Sequence, residues 1–202
     1  MSTGVIIVLI VIVAAVAVGA VAVTLRARGG LGGRDLKRRF GPEYDRVLKG
    51  HDGDTQAAER ELAERVERHG ALRERELDPR RREELTARWT AVQEHFVDAP
   101  QEAVAEADRL LAEVAADLGF PDAGHDEQLA ALSVHHPDHL HGYRQVHHAS
   151  NGGHADAGTE DLRAALIEAR GLFEELVGAG AAPRRRPHID RHDANHTTAK
   201  GG

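Results

Sequence analysis

Apolar positions along this 202-residue chain fall into two regimes. From Val5 to Leu25 they are continuous: twenty-one residues of Val, Ile, Leu and Ala, broken only by Gly19 and Thr24, with no charge among them. At about 1.5 Å of rise per residue, such a helix measures roughly 31 Å, enough to cross the hydrocarbon core of a bilayer. After Leu25 the apolar side chains recur every three or four residues, which predicts amphipathic helices. No stretch alternates with period two over a useful length, so no strands are expected. The chain therefore reads as all-α: a single N-terminal transmembrane helix followed by a soluble antiparallel helical bundle.

The soluble helices can be placed from their caps and stripes. Asp54 or Thr55 caps a helix running to about Leu77, with Ala58, Leu62, Val66 and His69 on one side. Asp78-Pro79 opens a second, striped by Leu85, Trp89, Val92 and Phe96. Pro100 starts a third, with Val104, Ala107, Leu111, Val114 and Leu118 inward and Gly119 as its stop. A shorter segment from Asp126 to Val134 carries Leu129 and Leu132. Pro137 then opens a helix with Leu140, Tyr143 and Val146 inward. After Asn151-Gly152-Gly153, Thr159 caps the last helix, with Leu162, Leu166, Phe173 and Leu176 apolar. Short connections between such helices favour antiparallel neighbours.

Before the bundle, Gly29-Gly30-Leu31-Gly32-Gly33 reads as a hinge; it lacks the preceding strand and following Lys-Ser/Thr of a phosphate loop. Pro42 suits the first turn of a short helix, with Tyr44, Val47 and Leu48 facing one way. The expected organisation is residues 1–28 as transmembrane anchor, 29–50 as basic hinge and short helix, 51–178 as soluble bundle, and 179–202 as a disordered basic and His-containing tail.

Charge supplies the orientation. Arg26, Arg28, Arg34, Lys37, Arg38 and Arg39 follow the apolar run and no basic side chain precedes it. By the positive-inside rule the N-terminus lies outside and the body in the cytoplasm, as a single-pass protein of the cell membrane. The missing basic n-region and the length of the run argue against a cleaved signal peptide. From Arg26 to Gly50 the net charge is +5, from His51 to Gly178 it is −15, and in the tail from Ala179 it is +3. The basic neck from Arg26 to Arg39 is drawn to anionic lipid headgroups, whereas the acidic body is repelled and disfavours nucleic acid as a partner. Cysteine is absent, and Arg outnumbers Lys 23 to 3, a bias read as base composition rather than as phosphate binding.

A further feature is the run Arg39-Phe40-Gly41-Pro42-Glu43-Tyr44-Asp45-Arg46. With Trp89-x-x-Val92-Gln93-x-x-Phe96-Val97-Asp98, Leu132-Ser133-Val134-x-His136-Pro137, Tyr143-Arg144 and Thr159-Glu160-Asp161-Leu162-Arg163, it resembles a group of uncharacterised actinobacterial proteins. Those proteins are membrane-anchored, with an apolar N-terminus and a helical body. The resemblance spans about Arg39 to Leu176 and implies architecture without an assigned activity, so no site residue follows from it.

Candidate chemistry rests on histidine. His135, His136, His139, His141, His147, His148 and His154 fall within twenty residues, and neutral imidazole is the commonest ligand for zinc, copper or nickel. His141 and His148 are a heptad apart, and His147 follows Tyr143 by four. In the tail, His188, His192 and His196 recur every four residues around Asp190 and Asp193. Against these stands the reading of a solvated polar face, since a structural zinc site needs four ligands in fixed geometry. There is no G-x-S-x-G, no Walker sequence and no H-E-x-x-H, and the carboxylates are expected to face solvent. No catalytic, cofactor-binding or metal residue is therefore assigned and no cofactor is expected. The functional expectation is a protein-interaction or structural module at the cytoplasmic membrane with an unknown protein partner. The alternatives are a His-dependent metal-binding or sensing module and, least favoured, an enzyme of unrecognised type.

Overall fold

A computed structural model describes residues 32–152 and 158–179, and these residues form eight helices and no strand. They are α1 (Gly33–Phe40), α2 (Pro42–Gly50), α3 (Thr55–His69), α4 (Pro79–His95), α5 (Pro100–Leu118), α6 (His125–His135), α7 (Leu140–Ser150) and α8 (Thr159–Ala179). None of them is long and apolar enough to cross a membrane. The Val5–Leu25 run, His154 and the tail histidines lie outside the described residues.

The all-α expectation holds for the helical bundle. Helix α5 is its axis and packs against α4, α6, α7 and α8. Ala103, Val104, Ala107, Leu110, Leu111, Val114, Ala115 and Leu118 are all buried, a stripe wide enough to serve several neighbours at once. Gly119 ends the helix at φ +97°, the left-handed conformation that makes glycine the usual stop. Trp89 of α4 stacks on Phe173 of α8 with centroids 4.6 Å apart. Helices α7 and α8 are in close contact at Gly142, where a Cβ would meet the Ala169 nitrogen at 2.3 Å.

A second, smaller core forms where α1, α2 and α3 meet α6, from Leu36, Phe40, Tyr44, Val47, Ala58, Leu62 and Val134. Helix α6 joins the two cores because both its faces are covered: Leu129, Ala131 and Leu132 belong to the large core and Val134 to the small one.

Four boundaries differ from those read off the pattern. The helix expected to reach Leu77 ends at His69, and residues 72–78 run on as a non-helical strap. Gly70 breaks the helix, Arg75 N–H donates to Leu118 O at 2.9 Å, and Leu77 is buried in the large core. The segment expected as hinge and one short helix holds two helices, separated by Gly41 at φ +48° with Pro42 following. Pro137 lies in a turn, and α7 starts three residues later at Leu140. Thr159 is the first helical residue of α8, and the Gly158 carbonyl before it accepts from the Asp161 and Leu162 N–H groups.

Helices α4 and α5 are also clamped by charge. Both Nη atoms of Arg88 donate to Glu113, at 2.7 and 2.8 Å, and Arg81 donates to Glu113 and to Asp117. The Arg88 fork, reinforced by Arg81, holds the Glu113 carboxyl down at about 2, against 4.5 in an unfolded chain. A carboxyl with a depressed folded pKa contributes stability above its unfolded pKa and loses it as pH falls through the folded value. Thermal stability should therefore drop as pH falls from about 4.5 to about 2. Glu113→Gln should flatten that part of the profile while costing stability at pH 7. An unchanged acid limb in a melting series would refute the assignment.

Candidate functional site

Between the two cores lies a buried charge cluster that no stripe announced. Glu43 of α2 is 3% exposed. It accepts from Arg65 Nη1 of α3 at 3.1 Å and, through both oxygens, from Arg144 of α7 at 2.8 and 2.6 Å. Arg65 donates further to Glu61 and to Ser133 Oγ of α6 at 3.2 Å, and Ser133 donates to Ala130 O. Burial lowers the Arg144 pKa, opposed by Glu43 and assisted by the nearby charges of Arg46 and Arg65. A carboxylate can sit in a low-dielectric interface when, as here, both oxygens accept charge-assisted bonds, three in all from two guanidiniums.

This cluster forms one side of an open cleft of about 730 Å³ lined by α2, α3, α6 and α7. Two histidines on its lining meet an aspartate behind them, from three helices in all. Asp108 comes from α5, His125 is the first residue of α6, and His147 comes from the last turns of α7. One atom of each, an imidazole nitrogen or a carboxylate oxygen, lies within 4.8 Å of the other two. His147 Nδ1–H donates to both Asp108 oxygens, at 3.1 and 3.0 Å, and Ser150 Oγ donates to Asp108 at 2.9 Å. Asn151 Nδ2 donates to His147 Nε2 at 3.1 Å. The His125 and His147 rings stack 3.2 Å apart with planes 8° from parallel. Burial, and then the neighbouring His147, push the His125 pKa down to about 4, so its imidazole is neutral at pH 7.

The position of His125 is fixed from behind. Tyr143 O–H donates to Gln128 Oε1 at 2.9 Å, and Gln128 Nε2 donates to the Ala112 and Pro121 carbonyls. Those bonds tie the first turn of α6 to α5 and α7, and the Tyr143 ring meets the His125 ring edge-on at 4.9 Å.

No family model, curated protein or solved structure matches the chain. The chemistry must be read from the arrangement itself. Two imidazoles and one carboxylate, converging from three helices, are a donor set for a divalent first-row ion, with at least one coordination position left over. Tetrahedral bonds of about 2.0–2.1 Å place donor atoms about 3.3 Å apart; the His147–Asp108 contact at 3.0 Å is already that close, and the three donor atoms lie within 4.8 Å of one another. The two rings are parallel, so seating an ion would require one ring to turn and the His147 proton to move from Nδ1 to Nε2, which keeps the imidazole neutral. A serine hydrolase arrangement is not present here: Ser150 bonds the carboxylate and not the imidazole.

Of the histidine-rich region, only His147 belongs to this group, while His148 lines the cleft beside it. His136 is buried, with Nε2 3.0 Å from Glu74 and Nδ1 2.9 Å from Glu175, and so ties the strap to α8. His139 also faces Glu175, His135 Nε2 contacts the His69 carbonyl at 3.0 Å, and His141 is exposed beside Glu168. The heptad pair His141 and His148 does not converge on one site. Sequence reasoning missed Glu43, Asp108 and His125. A signal existed for two of them: Asp108 falls between Val104 and Leu111 at inward spacing, and Glu43 stands four before the buried Val47. His125 offers none, because its partner lies on another helix.

Proposed function

We propose that the chain is a single-pass, membrane-tethered helical domain whose cytoplasmic cleft binds a divalent transition-metal ion through Asp108, His125 and His147. The observation that carries the metal reading is the convergence of these three donors from three helices, with His125 and His147 on the lining of the 730 Å³ cleft and Asp108 behind them. The tether reading is supported by the length of the Val5–Leu25 run and the arginines behind it. Arg34, Lys37, Arg38 and Arg39 are exposed on α1, opposite the buried Leu36 and Phe40, which suits contact with anionic headgroups. Val97 and Ile167 are the large apolar side chains left exposed among the described residues. Two scattered residues make a small docking patch, which favours a ligand in the cleft over an apolar partner face.

Calorimetric titration of the full-length protein in detergent tests the metal reading. The chain should take up one zinc ion more than a variant carrying Asp108→Asn, His125→Gln and His147→Gln, which controls for the tail histidines. His147→Ala alone should weaken that site by more than about 10-fold. Equal zinc uptake by the two proteins would remove the reading. For the tether, a tag at Gly202 should resist protease added outside intact cells; cleavage would reverse the orientation.

A further inference from the structure

The cleft carries a charge arrangement that the metal alone does not use. Four guanidiniums line it or its floor: Arg46 of α2, Arg65 and Arg68 of α3, and Arg144 of α7. Five carboxylates face them: Glu61, Asp126 and Glu127 on the lining, Glu43 between Arg65 and Arg144, and Asp108 behind His147. Counting these side chains alone, carboxylates outnumber guanidiniums by one. A divalent ion at Asp108, His125 and His147 turns that balance into one positive charge in excess. The same ion keeps a coordination position free of protein ligands, and the two imidazoles that would hold it line the cleft.

We infer that the metal-loaded cleft binds a phosphate group, one oxygen on the ion and others on the exposed guanidiniums of Arg46 and Arg68, and that the metal-free cleft does not. The inference rests on the metal reading above. Arg46 is exposed, and its charge is felt at Arg144. Arg68 is about half exposed and holds only the rim carboxylate Glu127, at 3.0 Å. Such a rim pair is a weak contact that an incoming oxyanion can replace. Guanidinium forks match phosphate oxygens in pairs, and a position on the cation adds a short, directional contact. Phosphate and metal binding are then reciprocally coupled, each raising the affinity for the other by the same factor.

Cobalt(II) in place of zinc gives the test a spectroscopic signature, because its visible bands respond to a change of ligand at the open position. Full-length protein in detergent is loaded with cobalt, and the spectrum of the Asp108→Asn variant is subtracted to remove ions held elsewhere. Inorganic phosphate should change the difference spectrum saturably, and the metal-free protein should bind phosphate at least about 10-fold more weakly. Arg46→Gln with Arg68→Gln should weaken phosphate binding about 10-fold and leave metal affinity equal or tighter. In a second arm, the protein in nanodiscs with and without phosphatidic acid distinguishes a lipid phosphomonoester from a free one: a spectral change without added phosphate identifies the headgroup as the source. A cobalt site whose spectrum ignores both forms of phosphate, or equal phosphate binding with and without metal, overturns the inference and leaves the metal reading standing. Failure to bind metal at Asp108, His125 and His147 overturns both.

Discussion

Glu43→Ala is expected to destabilise the fold by about 3–5 kcal/mol, the cost of breaking a buried ion pair from one side. The substitution leaves Arg65 and Arg144 facing one another across the seam between the two cores, both largely buried, with side-chain exposures of 13% and 14%. Neither guanidinium can be discharged at ordinary pH, so water must enter or the small core must separate. Glu43→Gln keeps the shape and one acceptor and should cost less. The exposed pair Asp35–Arg38 on α1 is the internal control: at 48% and 82% side-chain exposure, Asp35→Ala should cost under about 1 kcal/mol. Denaturant unfolding of the variants checks the ranking. A Glu43→Ala cost no larger than that of Asp35→Ala would refute the buried-cluster account. Removing Arg144 together with Glu43 should recover part of the loss, since the coupling belongs to the pair.

Gly142→Ala should cost about 3 kcal/mol, at the upper end of overpacking, even though alanine is the better helix former by about 1 kcal/mol. The new methyl would lie 2.3 Å from both the Ala169 nitrogen and the Glu168 carbonyl carbon, and these are backbone atoms that cannot swing aside. Helix α7 must lift from α8. Because α7 also carries Arg144 and His147, the same substitution should loosen the Glu43 cluster and weaken zinc at the three-helix site. Gly50→Ala, where a Cβ meets nothing within 4 Å, should cost far less. Equal effects of the two alanines on denaturation midpoint would show that α7 and α8 are not in the contact described.

The two clusters also bear on how much of a site can be read from a chain. Burial leaves a periodic record: Leu85, Trp89 and Val92, or Val104, Leu111 and Leu118, are spaced by the helix repeat because one face must leave water. Polar partners leave no such record. Glu43 and Arg144 are 101 residues apart, and Asp108 and His147 are 39 apart, so each member looks like one more solvated charge on its own helix. The histidine-rich run includes His147 of the three-helix group, yet His136 proved to be a link between Glu74 of the strap and Glu175 of α8. His147 found its partners on α5 and α6, outside the run.

Local chain statistics thus determined that the described residues are helical, where most of the helices stop, and which faces turn inward. Those properties follow from hydrogen bonding and side-chain spacing within a few residues. Tertiary structure decided that residues 72–78 leave the helix to lie on the core, that two cores form around α6, and that an acid and two imidazoles from three helices meet beside a cleft. These depend on which helices become neighbours. That choice is made by the summed fit of whole apolar faces, and the polar groups at their edges are carried together as a consequence.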